Sequence, residues 1–370
     1  MKSLLFFAFI AASIFILGGC TNDRHAQPHA GSSHLPIVKD NPFSLGKVAP
    51  IEDMEGNFYQ TVGWLNDQTI LYITNIQEGS QVYSYDLEEG VSSSFHKSEY
   101  PIVSAELSPS RKQLLIHAAP SNYQGELKVL GLDGEIRYET KIDSFELAYE
   151  WNDENENEVL VSSFKEDWSF ATYLMNIEEQ NIQQINLPQP FTIWPTDNEV
   201  LYLDWEEDSP NLNAPLIKRN LDNGSEERLL TSVHYIDSSK GFILAVYTKE
   251  NDSERSTYLI FNKEFDQIYS FDTNHLTTFS GWLVPYYDFI DRKESMVTFL
   301  PRSSGAADVY TGGFALTEIS LKDGETTELF SQLANEPIAC SSSGTMCLYG
   351  YQLEKVIDLQ EREIINLVNQ

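Results

Sequence analysis

Basic residues are scarce in this chain, with 24 lysines and arginines against 56 aspartates and glutamates and a formal charge of −32. A field of that sign repels phosphate backbones and anionic lipid surfaces, which argues against nucleic-acid binding and against a second, electrostatic contact with a membrane. Cysteine is also rare. Of three, Cys20 stands near the N-terminus, leaving Cys340 and Cys347 near the other end. Their spacing is not the Cys-x-x-Cys of exchange enzymes, which speaks against redox catalysis. Catalytic signatures are missing too: there is no Gly-x-Ser-x-Gly elbow, no His-Glu-x-x-His and no phosphate-binding glycine loop. Ser94-Phe95-His96-Lys97 matches Ser-x-x-Lys by letters, but it falls on an outer strand, where such a lysine is a solvated edge residue. The Asp153–Asn157 run alternates oxygen side chains like a calcium loop, yet it lacks the glycine and the final glutamate that such a loop needs. No cofactor and no metal is expected.

Long apolar runs are missing except for one. After Lys2, Leu4 to Leu17 carries no charge and leads into Gly18-Gly19-Cys20. A helix of fourteen residues rises about 21 Å, short of the roughly 30 Å hydrocarbon core, so the segment reads as a removable signal sequence. Residues 1–19 are therefore expected to be cleaved, with Cys20 becoming a lipidated N-terminus; two or three acyl chains anchor stably where one does not. Residues 20–50 are rich in His, Pro, Ser and Asn with little periodicity, and read as a tether with an end-to-end distance of about 30 Å. His25, His29 and His34 have no fixed geometry there and read as solvated linker residues. The expected location is the outer face of the cell membrane.

What the chain does have, over residues 51–370, is a repeat. Second strands of a hairpin-like unit begin near Thr69, Gln113, Glu158, Glu199, Gly241, Ser295 and Thr345, the first five spaced 41 to 45 residues apart. Third strands end in Asp133-Gly134, Asn223-Gly224, Asp323-Gly324 and related turns, which are strong hairpin signals. Each unit reads as four short antiparallel strands. Four-stranded sheets at that period predict an all-β propeller, whose blades bury both faces only by stacking on neighbours. The count is seven blades, with six as the alternative because the interval before Ser295 lengthens to 54 residues. In the last unit Cys340 and Cys347 fall opposite each other across a turn at Ser343-Gly344, close enough for a disulfide.

The Leu17-Gly18-Gly19-Cys20 lipobox, the polar tether, and units such as Trp64-Leu65-Asn66-Asp67 followed by Ile70-Leu71-Tyr72 and Val82-Tyr83-Ser84-Tyr85-Asp86-Leu87 resemble the YqgU-like propeller lipoproteins of Gram-positive bacteria, and more loosely the TolB-type propellers. The resemblance implies a location and a six-bladed fold. It carries over no catalytic residues.

Two function classes follow. The first is a membrane-anchored binding or assembly module, expected to be a monomer, for an envelope protein, peptide or glycan; the second is a carboxylate-dependent hydrolase or lyase of envelope polysaccharide. Long loops on a rigid scaffold are where binding resides. The loops from Phe164 to Phe170, Leu203 to Pro215 and Phe299 to Phe314 carry Trp168, Asp204, Trp205, Glu206, Asp208 and Arg302. Tyr59, His234, Tyr286, Tyr287 and Asp288 in the blade connections are expected to lie toward the channel mouth.

Overall fold

The computed structural model describes residues 48–205, 212–249, 254–279 and 281–368. Cys20, the signal segment and the tether up to residue 47 lie outside these residues, as do Glu206 and Asp208. The chain folds into consecutive antiparallel meanders, each built from contiguous sequence. The first sheet comprises Asn57–Trp64, Thr69–Asn75, Ser80–Asp86 and Val91–Ser98. The second comprises Ile102–Leu107, Gln113–Ser121, Gln124–Gly131 and Ile136–Asp143. The third comprises Glu146–Trp151, Glu158–Phe164, Phe170–Asn176 and Asn181–Ile185.

The fourth departs from the pattern, with three strands: Glu199–Leu203, Ala214–Asn220 and Glu226–Val233. Its inner strand is reduced to a single bridge between Ile193 and Leu201. Pro188, Pro190 and Pro195 surround that bridge and remove the amide donors a continuous ladder would need. Tyr235–Ser239, Phe242–Thr248, Arg255–Asn262 and Gln267–Asn274 form the fifth sheet. The sixth is Tyr287–Ile290, Ser295–Pro301, Phe314–Ser320 and Thr326–Leu333. The seventh is Ile338–Cys340, Met346–Tyr349, Lys355–Asp358 and Glu363–Asn366. The long interval before Ser295 is an insertion: Leu276–Thr278, Gly281–Leu283 and Gly305–Ala306 make a small mixed sheet beside an otherwise regular sixth unit. Among the described residues, then, six sheets are four-stranded, and the expectation of seven complete four-stranded blades fails at the proline-bound fourth unit.

Period-two alternation explains the packing. Along Thr69–Asn75, Ile70 and Tyr72 point into a cluster shared with the seventh sheet, while Leu71 and Ile73 point into one shared with the second. A strand covered on both faces carries a continuous apolar run, and Ile70 through Ile73 are all fully buried. Similar clusters sit between every other pair of neighbouring sheets. Because the cluster of Trp64, Ile70 and Tyr72 includes Met346, Leu348 and Val356, the ring is closed by side-chain packing between the first and last units. Polar contacts reinforce the seam: the Trp64 indole N–H donates to the Ala339 carbonyl at 2.7 Å and the Ser343 amide donates to Asp67 at 2.8 Å. The incoming chain packs across it, the Ile51 amide donating to the Leu367 carbonyl at 2.6 Å. The third-to-fourth turns have the expected chemistry, Gly134, Gly224 and Gly324 taking φ of 79°, 70° and 77°, a conformation glycine adopts without steric cost.

In such meanders the first-to-second and third-to-fourth turns lie on one face of the ring, here called the turn face. Second-to-third loops and the links between sheets lie on the opposite one, the link face. Ala49, whose amide donates to the Leu87 carbonyl, places the start of the described chain at the turn face of the first sheet.

Candidate functional site

The expected site residues do not converge. Tyr286 is buried in the cluster between the sixth and seventh sheets. The Tyr287 hydroxyl donates to Asp237 at 2.6 Å and lies 3.3 Å from the Tyr235 hydroxyl; burial, and then the Asp237 charge, push its ionisation far above the usual phenol range. Asp288, 8% exposed, accepts from Lys240 Nζ at 2.7 Å and from the Cys340 amide at 2.6 Å. These three are inter-sheet struts and not ligand-facing groups, because each side chain is consumed by a partner on a neighbouring sheet. Arg302 is solvent-exposed but committed: its guanidinium donates at 2.9 and 2.7 Å to Glu328 and at 2.9 Å to the Ser331 carbonyl. Glu328 lies on the outermost strand, so this cation stands at the rim, away from the ring axis. Trp205 packs half-buried against the fourth–fifth cluster, and Asp204 beside it is exposed. The Tyr59 hydroxyl donates to the Val103 carbonyl at 3.1 Å.

His234 packs on Trp282, ring centroids 4.7 Å apart. Burial, with a smaller contribution from His275, pulls its imidazole down to about 4. His117 is likewise held at about 4 by burial. Both are neutral interior groups near pH 7.

Trp168 stays on the surface, 52% exposed, and it has company that the sequence did not announce. It caps the short turn between Phe164 and Phe170, which are cross-strand partners. Trp168, Phe170 and Phe191 gather around the buried Phe164 ring at centroid distances of 6.1, 6.3 and 5.5 Å. Next to them Phe145, whose amide donates to the Phe164 carbonyl, meets Tyr123 at 6.5 Å. Tyr123, Phe145, Phe170 and Phe191 are 59%, 49%, 38% and 67% exposed. All lie on second-to-third loops or inter-sheet links, hence on the link face. The available signal was an aromatic at the tip of a tight turn, as in Ser121-Asn122-Tyr123, or within a proline-flanked link, as in Pro190-Phe191.

The turn face is different. First-to-second turns from around the ring line a cavity of about 820 Å³ at the central mouth, and several of its charged side chains are committed to partners on neighbouring turns and sheets. Lys240 Nζ reaches Asp288 and also the Phe289 and Cys340 carbonyls, at 2.8 and 3.2 Å. Arg111 crosses from the second sheet to the Ser342 hydroxyl at 2.5 Å. Glu156 accepts from the Ser108 and Ser110 hydroxyls at 2.8 and 2.6 Å. At Asp67 burial pushes the carboxyl up, but the Ser343 bonds and the Arg292 charge outweigh it and hold the group below the usual carboxylate range. The calcium-like run from Asp153 is a tight turn in which the Asn152 side chain accepts from the Glu154 and Asn155 amides, both at 2.9 Å. No cluster suited to a metal ion occurs among the described residues.

Cys340 and Cys347 are direct cross-strand partners and form a disulfide, both fully buried.

Comparison with known proteins agrees with this architecture. The "Uncharacterized lipoprotein YqgU" of Bacillus subtilis (strain 168) is 24% identical over 368 residues, covering 100% of this chain and 98% of the relative. The crystal structure of an uncharacterized protein from Listeria monocytogenes EGD-e superposes with a TM-score of 0.79 at 20% identity, over 88% of this chain and 98% of that one. The β-propeller domain of the Trilobed protease from Pyrococcus furiosus, described as having an open velcro topology, aligns with a TM-score of 0.53 at 14% identity over 84% of this chain and 94% of that one. At such identities the structural matches establish the fold alone. A family model described as a YqgU-like 6-bladed beta propeller domain matches residues 86–350, and the chain belongs to the YqgU-like β-propeller family.

Proposed function

We propose that this protein is a lipid-anchored, extracytoplasmic propeller that works as a binding module for an envelope component, with the link face as its working surface. The observation that carries this reading is the distribution of exposed apolar side chains. Among the described residues, the large exposed ones on the turn face are Val91, Leu132, Ile136 and Ile268, whereas every exposed aromatic ring lies on the link face. Contiguous apolar surface is costly to leave in water and marks interaction sites.

Anchorage is supported by the lipobox at Cys20 and by the lipoprotein relative. No helix among the described residues is long and apolar enough to cross a membrane. The buried disulfide fits an oxidising compartment. Since the described chain starts at the turn face, that face would be nearer the anchor and the aromatic face would look outward into the envelope. A hydrolase reading has nothing comparable: Arg302 is spent on Glu328 at the rim, and at the mouth Glu156 and Asp67 are held by the Ser108 hydroxyl and the Ser343 amide.

The test is crosslinking in intact cells with the full-length protein. The variant combining Trp168→Gly and Phe191→Ser is expected to lose its envelope crosslinks while staying membrane-bound with an unchanged thermal transition. Unaltered crosslinks would refute a working link face. Cys20→Ala should release the protein from membranes; retention after a high-salt wash would refute the anchor.

A further inference from the structure

We infer that the link-face aromatic surface docks a polypeptide segment in which lysine or arginine is interspersed with apolar side chains. This inference rests on the binding-module reading above and names the occupant.

Trp168 provides the first argument. Its φ is 63°, and its amide closes the turn onto the Lys165 carbonyl at 2.9 Å while the Lys165 amide donates back to the Ser169 carbonyl at 2.9 Å. A hairpin turn of this kind asks for glycine at its left-handed position, and a non-glycine residue costs roughly 1 kcal/mol there. Two other large apolar residues adopt positive φ, Phe265 and Leu353. Each recovers the cost by packing, Phe265 on Phe261 with ring centroids 4.1 Å apart and Leu353 on the first–seventh cluster. Trp168 instead holds half its surface in water. Strain kept by a ring that packs only edge-on against Phe164 and leaves half its surface exposed points to a role outside the fold.

The second argument is charge complementarity. The segments that carry the five exposed rings of this patch, Tyr123, Phe145, Trp168, Phe170 and Phe191, contain Asp143, Glu146, Glu166 and Asp167 but one basic residue, Lys165. Glu166 accepts from the Tyr123 hydroxyl at 2.9 Å and Glu146 is the cross-strand partner of Phe164, so carboxylates are threaded between the rings. Burial raises the Glu146 carboxyl above its usual range, the condition that an approaching cation relieves. Cations also stack on exposed aromatic faces, and the overall −32 charge steers a basic partner inward.

The third argument separates a peptide from a glycan. Phe164 is tilted by 64° to Trp168 and by 46° to Phe170, and Tyr123 by 43° to Phe145; Phe191 alone stacks on Phe164, at 27°, and the Phe164 ring beneath it is buried. Consecutive sugar rings want flat platforms in series; rings tilted this much form a mound with clefts, which suits branched and aromatic side chains.

The experiment uses the lipid-free, otherwise complete protein and three fluorescent probes: a peptide alternating lysine and leucine, its glutamate–leucine counterpart, and a neutral oligosaccharide of N-acetylglucosamine. The lysine peptide should bind, weaken several-fold as salt rises from about 50 to 300 mM, and lose at least about tenfold with Trp168→Gly, a change that leaves net charge untouched. The glutamate peptide should not bind. Failure of the lysine peptide to bind, or binding indifferent to Trp168→Gly, overturns the inference. Binding of the oligosaccharide in a Trp168-dependent way, without the lysine peptide, overturns the occupant and leaves the working face standing. If the cellular crosslinks also ignore Trp168→Gly with Phe191→Ser, the binding-module reading itself falls.

Discussion

The two faces of the ring spend their polar and apolar groups in opposite ways. On the turn face, charged side chains are tied to partners across sheets: Lys240 serves Asp288 and two carbonyls, Arg111 reaches the Ser342 hydroxyl, and Asp67 takes the Ser343 amide. On the link face, rings are left in solvent, with Trp168 held in a backbone conformation that does it no favour. A residue that stabilises the ring is one whose removal leaves a partner unsatisfied. A residue retained for binding is one whose removal the fold should hardly notice. The contrast therefore predicts which substitutions unfold the protein and which silence it.

The sharpest break should come from Lys240→Met. It leaves Asp288 with backbone amides but no countercharge, in a site where its side chain is 10% exposed, and removing one member of a buried pair typically costs about 3 kcal/mol or more. Urea unfolding should show the full loss; a change below about 1 kcal/mol would mean that the clasp behaves as an ordinary surface pair.

Acid should weaken the interior that supports the link face. His117 and His234 have folded values near 4 because of burial, against about 6.5 unfolded. Their neutral forms are favoured inside, so the stability they confer is complete above pH 6.5 and drains away as pH falls toward 4, when the unfolded chain binds protons that the folded one refuses. Between pH 7 and 5 each should contribute a loss of about 2 kcal/mol. His117→Gln should flatten the stability profile over that range by about this amount relative to the parent; an identical slope would show that His117 titrates alike in the folded and unfolded chain.

The disulfide closes a short loop, with a sequence separation of 7, and loop entropy assigns it about 2 kcal/mol. Replacing Cys340 and Cys347 together by Ala should lower the unfolding free energy by roughly that much without altering crosslinking, because the pair sits in the sheet that closes the ring and not at the aromatic surface. Loss of crosslinking in a folded double variant would tie the seam to the working face. The smallest effect on the fold is expected from Trp168→Gly, a change of zero to about 1 kcal/mol in the stabilising direction. A clear destabilisation would show that the ring packs more than its exposure implies.

Much of the ring was legible in the chain. Turn chemistry at Asp133-Gly134, Asn223-Gly224 and Asp323-Gly324 and the apolar runs between them depend on local rules, as does the register that sets Cys340 against Cys347. The fourth unit misled, since its prolines were visible but their effect on the inner strand depends on where the ladder needs donors. The aromatic residues misled more. Tyr286 and Tyr287 in one link and Phe191 in another look alike as sequence, yet the first two are roofed by the neighbouring sheet and the last is not. Sequence places Asp288 toward the channel mouth with no partner in view, because Lys240 is 48 residues away.

Sequence alone determined the repeat, the strand alternation and the turn types, all of which are set by steric and hydrogen-bonding preferences acting over a few neighbouring residues. Tertiary structure alone decided which aromatics face water and which charges are spent, because burial and pairing are properties of what a neighbouring sheet brings, and that sheet lies some 45 positions away, or about 275 at the seam between the first and the last.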